Sequence, residues 1–400
     1  MKVLQINILY KEKSTGRTCF EVNRALKNCG HEGFVAYGKG MHSDKNTYRI
    51  GSEIEYYAHN ILARITGLQG YYSFFATKRL IKYIKNISPD IIHLRNLHES
   101  YLNLPLMFAF LKKSNIPVIQ NLHDCWVFTG KCSHYTDIHC YKWKTECFKC
   151  PLKRNYLQSY FFERSNKLFT DKKKWFNGIR NLTIIGVSNW TSKQAKMSFL
   201  SSRRIETIYN WIDRDVFYPR KKNVFNSYGV NSSKFIILGL SASWLAGSPR
   251  YEDFIKLSTL IPNDMQIVLI GESKIVKFPK NIKHIQYIAN TKELAKLYSS
   301  ADVYVHLSTE DTFGKVIAEA MACGTPAVVY DSTAIPELVE EGCGYIVRKR
   351  DIVGIFEAIS KIRNNGKNYY SKKCVYNVTK NYDYKKNIMK LIKLYQSINF

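Results

Sequence analysis

Short β-branched and aliphatic runs recur along the chain, each followed by a segment with apolar residues every three or four positions. This is the pattern of parallel sheets joined by crossover helices. In the first half the strand-like runs are 3–8, 33–37, 91–94, 118–121 and 183–187, and in the second they are 235–240, 266–270, 303–307 and 327–330. Two doubly wound α/β domains follow. The change of domain is expected near 209–220, where Asn210, Asp213, Asp215 and Pro219 cluster after a strand-like 205–208. The division is then a first domain, 1–208, with a cysteine-rich insertion near 125–155, a second domain, 209–380, and a terminal helix, 381–400. In that helix Ile388, Leu391, Ile392 and Tyr395 form one apolar stripe, with packing back on the first domain as one destination for it.

Ligands of open parallel sheets bind at the carboxyl ends of the strands. Three segments fall there. Ser14-Thr15-Gly16-Arg17 reads as a loop before a helix with Val22, Leu26 and Cys29 on one face, and Gly16 would let backbone approach a ligand; a plain turn fits equally well. Asn121-Leu122-His123-Asp124 offers a His-Asp pair that can orient a sugar or act as a base, or simply satisfy its own loop. The third segment, 310–326, runs Glu-Asp-Thr-Phe-Gly-Lys-Val-Ile-Ala-Glu-Ala-Met-Ala-Cys-Gly-Thr-Pro, placing Asp311 and Glu319 around a Phe-Gly turn at the start of a helix. Helix N-termini attract phosphate, whereas carboxylates accept hydrogen bonds from sugar hydroxyls. A ligand with both parts is a nucleotide sugar.

The length of 400 residues suits two domains, and 45% hydrophobic residues can fill two cores. No apolar run is long enough to span a bilayer, and the N-terminal apolar stretch is too short for a signal peptide, so a cytoplasmic location is expected. The formal net charge of +28 calls for an anionic partner, unless it reflects only a lysine-rich proteome. Residues 1–200 carry 31 Lys and Arg against 13 Asp and Glu, and the remainder 29 against 19, so the excess favours the first half. Zinc-finger spacing, RNP-type motifs and basic regions with heptads are all missing, which argues against nucleic acid and for an anionic membrane surface. Between 56 and 85, Tyr57, Tyr71, Tyr72, Phe74 and Phe75 mix with Arg64, Lys78, Arg79 and Lys82; this suits a membrane interface, although aromatics at helical spacing more often form core. Cys132, Cys140, Cys147 and Cys150, with His134 and His139 nearby, have the spacing of a structural zinc site, with four reduced thiols as the alternative.

These motifs together resemble the retaining glycosyltransferases of family 4. The resemblance rests on Ser14-Thr15-Gly16, the 93–98 run His-Leu-Arg-Asn-Leu-His, His123-Asp124-Cys125-Trp126, Val187-Ser188-Asn189-Trp190, the 208–217 run Ile-Tyr-Asn-Trp-Ile-Asp-Arg-Asp-Val-Phe, and above all 310–326. It implies a GT-B fold, two Rossmann-like doubly wound domains facing a central cleft, with the second binding a nucleotide diphosphate-sugar. In particular the chain looks like the bacterial branch that builds O-antigen, capsule or exopolysaccharide on a lipid carrier.

By the same resemblance Asp311 would hold donor-sugar hydroxyls and Glu319 the nucleotide ribose. Phe313 and Gly314, continued by Lys315 and Val316, would meet the donor phosphates, Gly16 would close over the diphosphate, and His123 would touch the transferred sugar. Transfer would keep the anomeric configuration and use no catalytic metal. Two departures stand out. The first acid of the family is commonly Glu, where this chain has Asp311 preceded by Glu310, which could substitute. The usual Arg-Lys pair after the first strand of the second domain is replaced by Ser248 and Pro249, leaving Arg250 as the nearby cation. Without that cation the alternative is a catalytically silent sugar-nucleotide binding or assembly subunit.

Overall fold

The computed structural model describes residues 1–398 apart from 43, 222 and 276. The chain forms two compact units. One comprises Met1–Ile208 with the stretch from Ile388 onward, and the other is Tyr209–Asn387.

The first unit is built on seven strands: β1 (Lys2–Asn7), β2 (Glu32–Tyr37), β3 (Thr47–Arg49), β4 (Ile91–Leu94), β5 (Val118–Leu122), β6 (Leu182–Gly186) and β7 (Arg204–Thr207). They lie in the order β3-β2-β1-β4-β5-β6-β7 with parallel pairing throughout. The direction of winding reverses between β1 and β4, which leaves a crevice outside their carboxyl ends. Strands buried on both faces are mostly aliphatic, yet Gln5, Asn7, His93, Gln120 and Asn121 are polar and buried here. Each found a partner: Gln5 Nε2 donates to the Cys19 carbonyl at 3.0 Å, and Gln120 Nε2 donates to the Arg95 carbonyl at 2.8 Å. His93 Nε2 lies 3.0 Å from Asn121 Oδ1, and its Nδ1 lies 2.6 Å from the Tyr395 hydroxyl. Tyr395 belongs to the terminal helix Tyr384–Ile398, whose Ile388, Leu391, Ile392 and Tyr395 are all buried.

Two local expectations fail. Ser14, Thr15 and Gly16 lie in the first turn of the helix Lys13–Asn28 rather than in a loop. A Cβ on Gly16 would sit 3.2 Å from the Leu9 and Tyr10 backbone, so what approaches this glycine is the chain itself. Cys29 is the exposed residue that ends that helix, not part of its buried face.

The second unit has six strands: β8 (Phe235–Trp244), β9 (Met265–Ser273), β10 (Ile282–Ile285), β11 (Val303–His306), β12 (Ala327–Tyr330) and β13 (Gly344–Val347). Their order is β10-β9-β8-β11-β12-β13, again parallel, with the reversal between β8 and β11. The chain enters and leaves this unit side by side, through an Ile212–Asp383 bridge in which Ile212 N–H donates to the Tyr382 carbonyl at 2.8 Å.

Candidate functional site

In the second unit the loop after β11 and the helix after β8 rise on either side of the winding reversal and meet. β11 ends in His306, whose Nε2 lies 2.7 Å from Asp311 Oδ2. The Asp311 backbone is fixed by its N–H donating to Thr333 Oγ1 at 3.0 Å. From the other side, the helix Pro249–Leu260 begins at an N-cap Ser248, and its second residue, Arg250, donates to Ser308 Oγ at 2.6 Å and to Ser241 Oγ at 3.2 Å. Ser248 and Pro249 are therefore the start of a helix that carries a guanidinium to the β11 loop. Burial pushes the Asp311 carboxyl up, but the hydrogen bond and charge of His306, followed by the charge of Arg250 and a bond to Ser308, more than reverse this; the group stays ionised below its ordinary range.

The turn continues through Thr312 and Phe313, both buried. The Phe313 ring packs edge-on against Tyr382, with centroids 5.5 Å apart, and so anchors the turn rather than facing solvent. Gly314 takes φ +86° at the N-cap of the helix Lys315–Ala322, and a Cβ there would come within 2.8 Å of Ile317 Cδ1. Lys315 and Val316 open the helix half-buried, and Glu310 precedes the turn half-buried. Glu319 lies one turn further, buried, with the Tyr298 hydroxyl donating to it at 3.4 Å. The helix N-terminus, a guanidinium and an ionised carboxylate thus share one loop cluster. The first two attract an anion, and the third accepts hydroxyl donors. His306 was not singled out from sequence; the signal was a lone polar residue closing the apolar run 303–305.

A second cluster sits in the first unit at the ends of β4 and β5. His123 follows β5, and its Nε2 is 3.4 Å from Arg95 Nη1. A guanidinium only donates, so in this contact His123 Nε2 is the acceptor. Arg95 is buried, its Nε donates to Gln5 Oε1 at 3.0 Å, and its Nη2 has no partner among the described residues. Asp124 Oδ2 lies 2.8 Å from His98 Nε2, and His98 Nδ1 lies 2.8 Å from the Tyr156 hydroxyl. Burial opposes charge on both members of the His98–Asp124 pair, and their mutual attraction wins; the imidazole is held above and the carboxyl below the ordinary values. Behind them Lys172 is buried, donates to the Trp126 carbonyl at 2.5 Å and sits 4.0 Å from the Trp126 ring centre. His98 closes the 93–98 run, but Tyr156 and Lys172 lie in no motif read from the sequence, so no local pattern announced the three together.

The zinc expectation is not supported. Among the described residues no group of three or more His, Cys, Asp or Glu is placed to hold a metal, and Cys132, Cys140, Cys147 and Cys150 are free thiols. Cys147 accepts the Gly130 N–H at 3.2 Å and lies in the apolar core, with Cys132 and Cys140 packed against it. Burial pushes the Cys132 thiol up to about 12 and that of Cys147 to about 11, which favours the protonated form.

Two parallel α/β units, each with its loops gathered at a winding reversal, match the GT-B fold of solved glycosyltransferases. Sucrose-phosphate synthase from Thermosynechococcus elongatus superposes with a TM-score of 0.73 over 99% of this chain and 98% of its own, at 15% identity. Anabaena HepE in complex with UDP-glucose gives 0.68 over 99% and 100%, at 14% identity. The chain belongs to glycosyltransferase family 4: the profile described as Glycosyltransferase Family 4 matches residues 15–216, and one described as Glycosyl transferases group 1 matches 252–365. The putative colanic acid biosynthesis glycosyl transferase WcaC of Escherichia coli K12 is 23% identical over 89% of this chain and 90% of its own length. N-acetyl-alpha-D-glucosaminyl L-malate synthase of Bacillus anthracis is 29% identical, but the match spans only 38% of this chain and 43% of that protein.

Proposed function

We propose that the protein is a retaining glycosyltransferase that moves a hexose-type sugar from a nucleotide diphosphate-sugar to a lipid-linked or oligosaccharide acceptor. The setting would be O-antigen, capsule or exopolysaccharide assembly, at the inner face of the cell membrane. The observation that carries this reading is the convergence of Arg250, Ser308 and ionised Asp311 beside the Gly314 turn. The relatives agree with it, since one is named for colanic acid biosynthesis and a structural neighbour was solved with UDP-glucose.

In this reading Asp311, with Glu310 beside it, accepts hydroxyls of the donor sugar, and Glu319 those of the ribose. Backbone N–H groups from Phe313 to Val316, aided by Lys315, cradle the diphosphate. Arg250 supplies the cation that Ser248 and Pro249 do not. As the sugar–phosphate bond breaks, charge builds on the departing diphosphate, so fixed N–H groups and a guanidinium stabilise the transition state more than the bound donor. His123 attends the transferred sugar, and Gly16 keeps its place in the helix start nearest β1. In this reading the charge on the diphosphate is met by Arg250, Lys315 and backbone N–H groups, with no catalytic metal called on.

A panel of nucleotide sugars tested for thermal stabilisation, followed by nucleoside diphosphate release, checks the proposal. The expected result is stabilisation by one donor and slow release even without acceptor. Stabilisation without release would instead identify a silent sugar-nucleotide subunit, and no stabilisation by any donor would remove both readings.

A further inference from the structure

The helix Glu53–Thr66 is inverted with respect to a normal surface helix. Only His59 and Ala63 are buried, while Ile54 (81% exposed), Tyr57, Ala58, Ile61, Leu62 and Ile65 face outward. Positions 54, 58, 61 and 65 recur at helical spacing, so the outward face is one apolar stripe. The helix is well formed: Ser52 and Glu55 make a reciprocal capping box, with Ser52 N–H donating to Glu55 at 2.9 Å.

Two further segments extend the stripe. Past the end of the helix, Phe161 (68% exposed) and Phe162 project from a turn held by Tyr160 N–H donating to the Arg64 carbonyl at 2.8 Å and by Lys153 Nζ donating to the Phe161 carbonyl at 2.9 Å. Beside it, Phe74 and Phe75 (69% exposed) open the helix Phe74–Ile87, whose start is tied to the first helix by Ser73 Oγ, 2.7 Å from His59 Nδ1. Cations rim these rings. Lys78 Nζ lies 4.5 Å from the Phe74 ring centre, and the Arg164 guanidinium lies 5.1 Å from that of Phe162.

We propose that this face seats on an anionic bilayer, its aliphatic and aromatic side chains entering the head-group boundary while the rim cations meet lipid phosphates. The inference rests on the reading that the acceptor is lipid-linked, and it narrows the interface expected between 56 and 85 to the outward face of the helix Glu53–Thr66 with its flanking Phe pairs. Charge complementarity selects the occupant: the chain carries +28, and a self-complementary contact between two copies would bring rim cations against rim cations. The other side of the helix supports the choice. There Tyr56, Asn60 and Ala63 line a cavity of about 320 Å³ whose wall includes Glu99 and Tyr156 and mixes polar with apolar surface. Tyr156 leads to His98 and Asp124, so a saccharide whose lipid stays in the bilayer has a recess with hydrogen-bonding groups next to the seated face.

Flotation with vesicles tests this, using phosphatidylcholine alone and phosphatidylcholine mixed with phosphatidylglycerol. The whole protein is expected to float with the anionic vesicles and not with the neutral ones. Replacing three exposed residues together, Ile54→Ser, Ile61→Ser and Phe161→Ser, is expected to lower that partitioning at least about tenfold with an unchanged melting temperature. Failure of the wild type to float with anionic vesicles, flotation of the triple variant like wild type, or a solution dimer that the triple variant splits would each overturn the proposal. Nucleoside diphosphate release in lipid-free solution separates the two readings. Donor turnover without vesicle binding removes the surface and keeps the transferase; vesicle binding without turnover of any donor does the reverse.

Discussion

Asp311 and Arg250 are 61 positions apart in sequence and reach one patch because β8 and β11 are neighbours at the reversal of the sheet. Replacing Asp311 by Asn keeps the shape but removes the charge, and is expected to lower kcat/KM for donor turnover by at least about a hundredfold while UDP still binds. Arg250→Ala is expected to act on the diphosphate. UDP affinity should fall about tenfold or more, as for a lost charge-assisted hydrogen bond, measured by calorimetry. Gly314 is a backbone requirement: at φ +86° with Ile317 in the way, Gly314→Ala should cost about 1–2 kcal/mol in urea unfolding. Burial lowers the Lys172 pKa from 10.5 to about 7, only partly offset by the nearby Cys147, Cys132 and Asp124. Between those values the unfolded chain holds a proton that the folded chain does not, so this residue makes stability rise with pH from 7 upward. Lys172→Met should flatten that rise in melting temperature between pH 7 and about 9.

At the scale of elements, the central strands were legible because burial on both faces leaves aliphatic runs, as at 91–94 and 327–330. Of the edges, only β7 was read, as 205–208. β3 and β10 are short and carry half-exposed polar residues such as Thr47, Arg49 and Lys283, and β13 is four residues long and opens on Gly344, so little in their sequence separates them from loops. The helix Lys13–Asn28 hid its start because no side chain caps it and Ser14, Thr15 and Gly16 have turn chemistry; contact with Leu9 and Tyr10 decided the matter. Within the site, the 310–326 motif was readable since a turn and a short helix are local. The His98–Asp124–Tyr156 chain was not, because its members come from three separate segments. The cysteine spacing was misleading: the insertion places Cys147 in an apolar core and packs Cys132 and Cys140 against it, which spacing alone does not reveal. For the terminal helix, the stripe was evident but not its hydrogen bond. Tyr395→Phe leaves buried His93 Nδ1 without that partner, with an expected loss of about 1–3 kcal/mol on denaturation.

For the molecule as a whole, the first unit is assembled from two stretches separated by the entire second unit. The interruption is closed locally by the Ile212–Asp383 bridge, which lets the chain depart and return at one point. Because the stretch from Ile388 packs on the first sheet, its four stripe residues being at most 3% exposed, residues 1–208 without it are left with an open apolar seat. That arrangement sets an order of events during synthesis. Residues 1–208 leave the ribosome first, but their last packing partner follows only after the 179 residues of Tyr209–Asn387. At roughly 5–20 residues per second the seat stays unfilled for about ten seconds or more, time in which a chaperone has access to it. The second unit, made of one continuous stretch, can finish first although it is translated later.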